Sequence, residues 1–352
     1  MPRSGILGAM SSNHCRQFDF YGLRVEVRSD NREIADEAAR DFAWFKVEAD
    51  SSSPAPLDMQ IEMKLEPAPW GSLPAIPASV ITPRNVTFRN GTVTYIDYFG
   101  RGLAVLDRHN KTCVMYSGHF DLLREMAYLF LLSTVGQHVD SLGMHRIHAM
   151  GVSHEGQGIL LLLPSGGGKS TMSLKLLDQE DFTLLSEDTP LIDRKGSMHP
   201  FPLRLGVRGE KTAEIPAELQ RTFDRMEFEP KTFVDIDFFR HRLGETVPVS
   251  MIFVGQRNLG DVSTIEPLSR RATFNALLKY LIVGLGVYQG LEFLLEEGIR
   301  DMTGKFGVFA SRTRNGMTLM RKARAYKLVL GRDQEKNAET LMKFVRESKI
   351  SQ

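Results

Sequence analysis

The feature that most constrains the fold is the run GILLLLPSGGGKSTMSLKLL at positions 158–177. It begins with a continuous apolar stretch, which is typical of a strand buried on both faces of a sheet. Three consecutive glycines follow, and glycine is the residue that permits tight turns with positive φ. Apolar residues at helical spacing complete the run. It therefore predicts a buried strand, a glycine-rich loop and a helix in direct succession, within an α/β fold.

The loop of this run has the chemistry of a phosphate-binding site. Its backbone N–H groups and the N-terminal end of the following helix supply hydrogen-bond donors to an anion. Lys169 would neutralise the β- and γ-phosphates of ATP, and the Ser170 hydroxyl would bind Mg²⁺. The pattern Gly-x-x-x-x-Gly-Lys-[Ser/Thr] is matched at its end, but Leu163 stands where the first glycine belongs. The predicted nucleotide-binding residues are Ser165, Gly166, Gly167, Gly168, Lys169, Ser170 and Thr171.

One helix and one strand, FTLL, are predicted after the loop. Two acidic residues, Glu187 and Asp188, stand just beyond the end of that strand and are called the acidic corner below. Metal–phosphate chemistry needs carboxylates there to hold Mg²⁺ and to take a proton from an attacking hydroxyl. Ser170 and Glu187 are therefore the predicted metal ligands. Asp188 is the predicted base, and His148 in HRIHAMG is a further candidate.

The rest of the chain indicates two domains, residues 1–117 and 118–352. The first has the pattern of a small α+β unit, with a hairpin around Tyr21-Gly22, a helix, and strands in LDMQIEMKLE, GTVTYIDYFG and GLAVLDRHNKTCVMY. Residues 66–83 contain five prolines and predict an irregular loop. In the second, a long helix from His119 precedes a strand pair that turns at HEGQG, and Leu277–Gly298 predicts a buried helix.

Composition narrows the classes of partner. The net charge is +1, so no broad attraction to nucleic acid or to a membrane surface is expected. The most apolar segment, Leu277–Gly298, carries too many polar residues for a membrane span. The two cysteines, Cys15 and Cys113, lack metal-ligand spacing and favour a reducing, cytoplasmic setting.

Taken together, His148, the stretch Ser165–Ser170 and the pair Glu187-Asp188 resemble the kinase domain of the HPr kinase/phosphorylase family. That family shares its nucleotide-binding core with the phosphoenolpyruvate carboxykinases. The resemblance is specific over residues 140–207, weaker as far as Arg346, and strongest to HPr-kinase-like proteins of peptide-modification gene cassettes. It implies a phosphoenolpyruvate carboxykinase-like P-loop kinase domain that follows a small N-terminal α+β domain.

Carried over by position, the resemblance gives Lys169 and Ser170 the roles of the loop lysine and the metal-binding hydroxyl. It implies that Glu187, Asp188 and His148 assist the attack of a protein serine hydroxyl on the γ-phosphate. It is also compatible with a homo-oligomer. Two departures stand out: Leu163-Pro164 replaces the family's usual Gly-Asp, and Glu187 replaces an aspartate. Candidates for the family's downstream basic contact are Arg204 and Arg257.

The expected function is an ATP- and Mg²⁺-dependent kinase acting on a hydroxyl of a protein or peptide. One alternative, which the Leu163-Pro164 replacement suggests, is a catalytically weak ATP-binding module that senses the nucleotide or presents a peptide to a partner enzyme. An ABC-type ATPase is disfavoured because the chain has no LSGGQ-like signature. A small-molecule kinase or a carboxykinase stays open within the same fold, because a phosphate loop does not determine the substrate.

Overall fold

The computed structural model of the chain describes residues 14–48, 56–164, 167–207, 215–223, 231–284 and 299–348. It is a mixed α/β structure built on two large mixed sheets with helices. The chain forms two compact units. Unit 1 comprises Met1–Val135, Pro216–Phe233 and Gly290–Leu295, and unit 2 comprises Gly136–Ile215, Val234–Gln289 and Glu296–Gln352. The first change of unit falls later than the change of pattern that the sequence indicates at residue 117.

Unit 1 begins with the hairpin that the sequence predicts. β1 (His14–Phe20) pairs antiparallel with β2 (Leu23–Ser29). Tyr21 and Gly22 have φ angles of 57° and 91°, in the left-handed region that two-residue hairpin turns require. Helix α1 (Arg32–Asp41) follows, also as predicted, and buries its apolar face. The hairpin and the helix therefore form where their local patterns place them.

The hairpin belongs to a nine-stranded sheet. Its further strands are β3 (Lys46–Val47), β4 (Met59–Lys64), β5 (Ala78–Ile81), β6 (Val86–Asn90), β7 (Val93–Asp97), β8 (Gly102–Asp107) and β9 (Thr112–Ser117). The strand order is β3-β1-β2-β4-β9-β8-β7-β6-β5. β4 is parallel to β2 and β9, whereas the other neighbours are antiparallel.

Two predictions about this sheet are wrong in detail. The proline-rich stretch 66–83 is not wholly irregular, because β5 forms within it and pairs with β6 at the sheet edge. The prolines flank β5 without interrupting it, so its N–H groups remain available for pairing. The stretch GLAVLDRHNKTCVMY is a hairpin of β8 and β9, because its polar centre forms a turn in which Lys111 has a φ of 55°.

Unit 1 also contains a buried network of charges. Glu37 and Asp41, both on α1, accept hydrogen bonds from the guanidinium of Arg221 in β17 (Gln220–Phe223). Arg124 donates a second hydrogen bond to Asp41 at 3.0 Å. The side chains of all four residues are at most 10% exposed. Buried ions need such partners because desolvation of an unpaired charge is costly.

Helix α2 (Phe120–Ser141) confirms the prediction of a long helix that is apolar nearly all round. Leu123, Met126, Phe130 and Val135 are among its fully buried side chains, and they project from several faces. Among helices in the described part of the chain, α2 included, none has the length and apolar character that a membrane span requires.

The sheet of unit 2 places four strands in the same direction. β12 (Gln157–Leu162), β19 (Val247–Arg257) and β21 (Arg324–Leu330) are mutually parallel neighbours. β11 (Met150–His154) is antiparallel to both β12 and β13 (Phe182–Ser186), so β13 also runs with β12. The other strands of the described residues are β10 (His145–Arg146), β14 (Leu191–Ile192), β15 (Ser197–His199), β16 (Leu205–Val207), β18 (Lys231–Val234) and β20 (Thr264–Pro267).

The predicted strand pair around HEGQG is confirmed: β11 and β12 form a hairpin that turns at Glu155-Gly156. An apolar core cluster packs against the sheet, and includes Ile147, Leu160, Leu162, Leu185, Ile252, Leu277 and Leu281. The central strand β12 is buried on both faces, as its uninterrupted apolar run predicts.

The helices of unit 2 are α3 (Lys169–Leu177), α4 (Arg270–Leu277), α5 (Ile299–Lys322) and α6 (Gln334–Glu347). Of the predicted helix Leu277–Gly298, the structure describes only the first part: α4 ends at Leu277, and a buried π-helical turn (Leu278–Ile282) continues it. Residues 285–298 lie outside the described part of the chain.

Candidate active site

The predicted site residues meet at one edge of the unit 2 sheet. β12 and β13 run in the same direction, so the residues after Leu162 and after Ser186 emerge at the same edge. β11 runs the opposite way, so His148, two residues before it, lies at that edge too. The carboxyl ends of parallel strands are where open α/β sheets place their ligands. The sheet order thus brings together residues that are far apart in sequence.

Gly167, near the end of the loop after β12, stands where a side chain would not fit. The N–H of Gly167 donates to the carbonyl of Pro164 at 2.9 Å, and a Cβ on Gly167 would lie 2.8 Å from that oxygen. Gly168 precedes α3 with a φ of 102°, a conformation that glycine adopts without strain. Ser165 and Gly166, two of the predicted nucleotide-binding residues, lie outside the described part of the chain.

The ammonium of Lys169 is the centre of the site. It is buried, with only 5% of the residue exposed. Its Nζ lies 2.5 Å from Nε2 of His148, 3.0 Å from the carbonyl oxygen of Leu163 and 3.3 Å from Oδ1 of Asp188. An ammonium can only donate hydrogen bonds, so Nε2 of His148 is the acceptor in this contact. Lys169 therefore joins the loop, the histidine and the acidic corner.

The acidic corner approaches the loop through both carboxylates. The hydroxyl of Ser170 donates to Oε1 of Glu187 at 2.6 Å. The side chain of Asp188 is 45% exposed, and its Oδ1 lies 3.7 Å from Nε2 of His148. The backbone holds the corner in place, since the N–H of Ala149 donates to the carbonyl of Asp188 at 3.0 Å. Glu187 thus faces the helix, while Asp188 is accessible from outside.

Tyr280 is a residue of this site that the sequence reasoning missed. Its carbonyl accepts from the N–H of His148 at 3.1 Å, and the two rings stack at a centroid distance of 6.0 Å. Tyr280 belongs to the buried π-helical turn. Such irregular turns are frequent at functional sites, but no pattern in the sequence announces this one. Backbone and ring contacts together fix His148, which is 3% exposed.

Of the two arginines considered from the sequence, the structure brings Arg257 to the loop. Its Nη2 lies 3.0 Å from the position that a Cβ on Gly168 would take. Arg257 ends β19, the parallel neighbour of β12, and its guanidinium therefore lies beside the N-terminus of α3. Arg204 is half-buried and immediately precedes β16.

Leu163, the departure from the loop pattern, has a structural role. Its side chain is 1% exposed and fills the space above Gly255, where a Cβ would overlap it. Only its backbone carbonyl reaches the site, through the contact with Lys169. The loop therefore keeps its position with an apolar anchor where the usual pattern has a glycine.

The donor set suits a triphosphate with a hard cation. The first N–H groups of α3 have no acceptor within the helix, and its N-cap residue, Gly168, has no side chain that could cap them. Thr171, the last predicted contact, is half-buried in the first turn of α3. The described residues contain no cluster of three or more His, Cys, Asp or Glu side chains arranged for a metal. Mg²⁺ fits nevertheless, because it binds through one or two protein oxygens together with phosphates and water.

No model of a known protein family matches the chain, and a search of curated proteins found no match.

Proposed function

We propose that this protein is an ATP- and Mg²⁺-dependent kinase that transfers the γ-phosphate of ATP to a hydroxyl group, a serine of a protein or peptide. One observation carries the proposal: the glycine-rich loop and the acidic corner contact each other through two pairs. Ser170 Oγ lies 2.6 Å from Glu187, and Lys169 Nζ lies 3.3 Å from Asp188. Phosphoryl transfer needs a phosphate cradle, a metal site and a base within this range of one another.

The two pairs have different roles in the proposed reaction, phosphate binding and metal binding. Lys169 and the N-terminal end of α3 would bind the phosphates, and their fixed positive charge would stabilise the transition state. Ser170 and Glu187 would hold Mg²⁺, which supplies further charge neutralisation when bound. Nucleotide binding would exchange the present contacts of Lys169 for contacts with phosphate oxygens.

Asp188 is the proposed general base. Its carboxylate is 45% exposed, so an acceptor hydroxyl from another molecule can reach it. The general base must come within hydrogen-bond reach of the proton that it removes. His148 is buried behind it, where its Nε2 accepts from Lys169 and holds the ammonium in position. The resemblance implies that His148 also assists the attack of the serine hydroxyl on the γ-phosphate.

The fold and the partners are part of the same proposal. The resemblance in residues 140–207 supports a phosphoenolpyruvate carboxykinase-like P-loop kinase domain related to HPr kinase. It also supports a protein or peptide acceptor and is compatible with a homo-oligomer. The strand order around β12, with the loop between β12 and α3, agrees with a nucleotide-binding α/β core.

Two measurements test the proposal. Calorimetry with ATP and Mg²⁺ should detect binding that Lys169→Ala abolishes. Incubation of the protein with γ-labelled ATP and cell extract should label an acceptor. Asp188→Asn should keep nucleotide binding and lose the labelling, because only the base is removed. Asp181→Asn, at the opposite end of β13, is the matched control and should label normally. Failure of the unmodified protein to bind ATP would refute the proposal.

A second candidate is an ATP-binding module that does not transfer phosphate, and the surroundings of Leu163 favour it. The family has Gly-Asp where this chain has Leu163-Pro164. The side chain of Leu163 is buried against Gly255, and the side chain of Pro164 has no polar group. A carboxylate that could handle a proton or an acceptor is therefore missing from the start of the loop. Tight ATP binding with no turnover across a panel of serine-containing peptides would support this candidate over the kinase.

A further inference from the structure

A serine, a histidine and an aspartate form a continuous hydrogen-bonded chain elsewhere in unit 2. Nε2 of His145 lies 2.8 Å from Oγ of Ser311, and Nδ1 of His145 lies 2.7 Å from Oδ1 of Asp140. The imidazole is completely buried. This is the order of contacts by which an aspartate orients a histidine and the histidine accepts a proton from a nucleophilic serine.

Three elements hold the chain of residues in place. Asp140 lies in the last turn of α2, His145 opens β10, and Ser311 is on α5. The turn between α2 and β10 is fixed to α5, because the Asn315 amide donates to the carbonyl of Gly143 at 3.0 Å. The histidine therefore has little freedom to leave the serine, which is the positional requirement for general-base catalysis.

Asp140 is kept ionised by its surroundings. Burial by itself would raise its pKa, but the hydrogen bond with His145 and the charge of Arg312 hold the pKa below the usual value. Arg312 donates to both carboxylate oxygens, at 3.2 and 2.9 Å. An ionised Asp140 fixes the ring of His145 and stabilises the imidazolium that forms when the serine loses its proton.

Ser311 opens onto a cavity of about 720 Å³, and Asp140 and Gly143 also line it. This volume lies within the range of small-molecule sites. Three cationic side chains, Arg194, Lys195 and Arg314, line the same cavity. The residues of the candidate kinase site do not appear among the described residues that line it. Two carboxylates, Asp140 and Asp193, also line it, so the three cations leave a net formal charge of +1 beside the Ser311 hydroxyl.

We propose that Ser311, His145 and Asp140 form a second catalytic centre, which hydrolyses small carboxylic esters that carry a negative charge. Oγ of Ser311 bonds to the ester carbonyl carbon while its proton passes to Nε2 of His145. The bond from that carbon to the alcohol oxygen breaks, and the alcohol leaves with the proton from His145. Water then attacks the acyl-serine, gives a proton to His145, and releases the carboxylic acid as Ser311 regains its proton.

The test uses the full-length protein and two readouts. A fluorophosphonate probe followed by peptide mass spectrometry should find the label on Ser311. Ser141 should stay unlabelled: it lines the same cavity, but its hydroxyl donates to the carbonyl of His138. Hydrolysis of 4-nitrophenyl hemisuccinate should be faster than hydrolysis of neutral 4-nitrophenyl acetate, because of the cationic lining.

Ser311→Ala should lower the hydrolysis rate by a factor on the order of 100 or more. Thr313→Ala removes a hydroxyl from the same helix, where it bonds to the carbonyl of Phe309, and should leave the rate unchanged. Hydrolysis by Ser311→Ala at the unmodified rate would overturn the proposal. Should that variant fail to fold, the probe result decides: no label on Ser311 of the unmodified protein would assign the three residues to structure alone.

Discussion

The geometry of the glycine-rich loop can be tested with Gly168→Ala and a matched change elsewhere. Gly168 has a φ of 102°, so an alanine there is strained, at a cost of about 1–2 kcal/mol. Alanine also reduces the entropy of the unfolded chain, which offsets about 0.4–1 kcal/mol of that cost. The net loss of about 1 kcal/mol corresponds to a fall in Tm of roughly 2–4 °C.

The added Cβ has a second effect at Gly168 alone. It would lie 3.0 Å from Nη2 of Arg257, in the space between the loop and the guanidinium. A phosphate bound at the N-terminus of α3 needs that space, so we expect ATP to bind at least tenfold more weakly, or about 1.4 kcal/mol. Arg257 can shift, because the crowded atom is the far end of a flexible side chain.

Gly156→Ala is the control, because it introduces a similar backbone strain at a position away from the candidate site. Gly156 has a φ of 73° in the turn between β11 and β12, and a Cβ there would have no atom within 4 Å. In a thermal scan, the Tm of both variants should fall by a similar amount. In calorimetry, only Gly168→Ala should bind ATP more weakly than the unmodified protein. Equal ATP affinities in two variants of equal stability would refute the placement of the phosphates beside Gly168.

Three further predictions concern hydrogen bonds and ion pairs. Ser170→Ala and Glu187→Gln should each weaken the Mg²⁺ dependence of ATP binding in calorimetric titrations, and the double variant should lose less than the sum because the two adjacent side chains are the proposed ligands of one ion. The hydrogen bond from Arg346 lowers the pKa of Asp181 from 3.8 to about 2, so this pair stabilises the fold above pH 3.8 and stops doing so as the pH falls through 2. Arg346→Ala should therefore cost about 0.2–1 kcal/mol at neutral pH, because the pair is exposed, and less at pH below about 2, where only its contacts with Gln179 and Phe182 are lost. Arg221→Ala should cost about 1.5–3 kcal/mol in urea unfolding, because Glu37 and Asp41 lose the buried hydrogen bonds from Arg221 but keep those from Arg40 and Arg124.

Each stability prediction has a control in an exposed pair. Arg240→Ala breaks the ion pair between Arg240 and Asp237, whose side chains are 62% and 50% exposed, respectively. This substitution should cost less than about 1 kcal/mol. A comparable cost for Arg221→Ala would contradict the account of the buried network. Lys343→Ala, on the same helix as Arg346, should leave the acid dependence unchanged. The pKa argument would be contradicted if the stability difference between Arg346→Ala and the unmodified protein were as large at low pH as at neutral pH.

Local patterns were sufficient for much of the fold. The hairpin at Tyr21-Gly22, helix α1, the all-round apolar helix α2 and the succession of β12, loop and α3 follow from periodicity and glycine positions. These features depend on residues within a few positions of one another. The edge strand β5 was missed because its pairing with β6, and not its own proline-rich surroundings, makes it a strand.

The chemical groups of the site can be read from local sequence: the loop that leads to Lys169 and Ser170, and the acidic pair Glu187-Asp188. That these groups lie together follows from the packing of distant segments. Their meeting depends on the sheet order β13-β11-β12-β19, which aligns the ends of separate strands at one edge. The same non-local pairing places Tyr280 behind His148 and Arg257 beside the loop. Strand order is set by contacts between distant segments, and no short-range pattern encodes it.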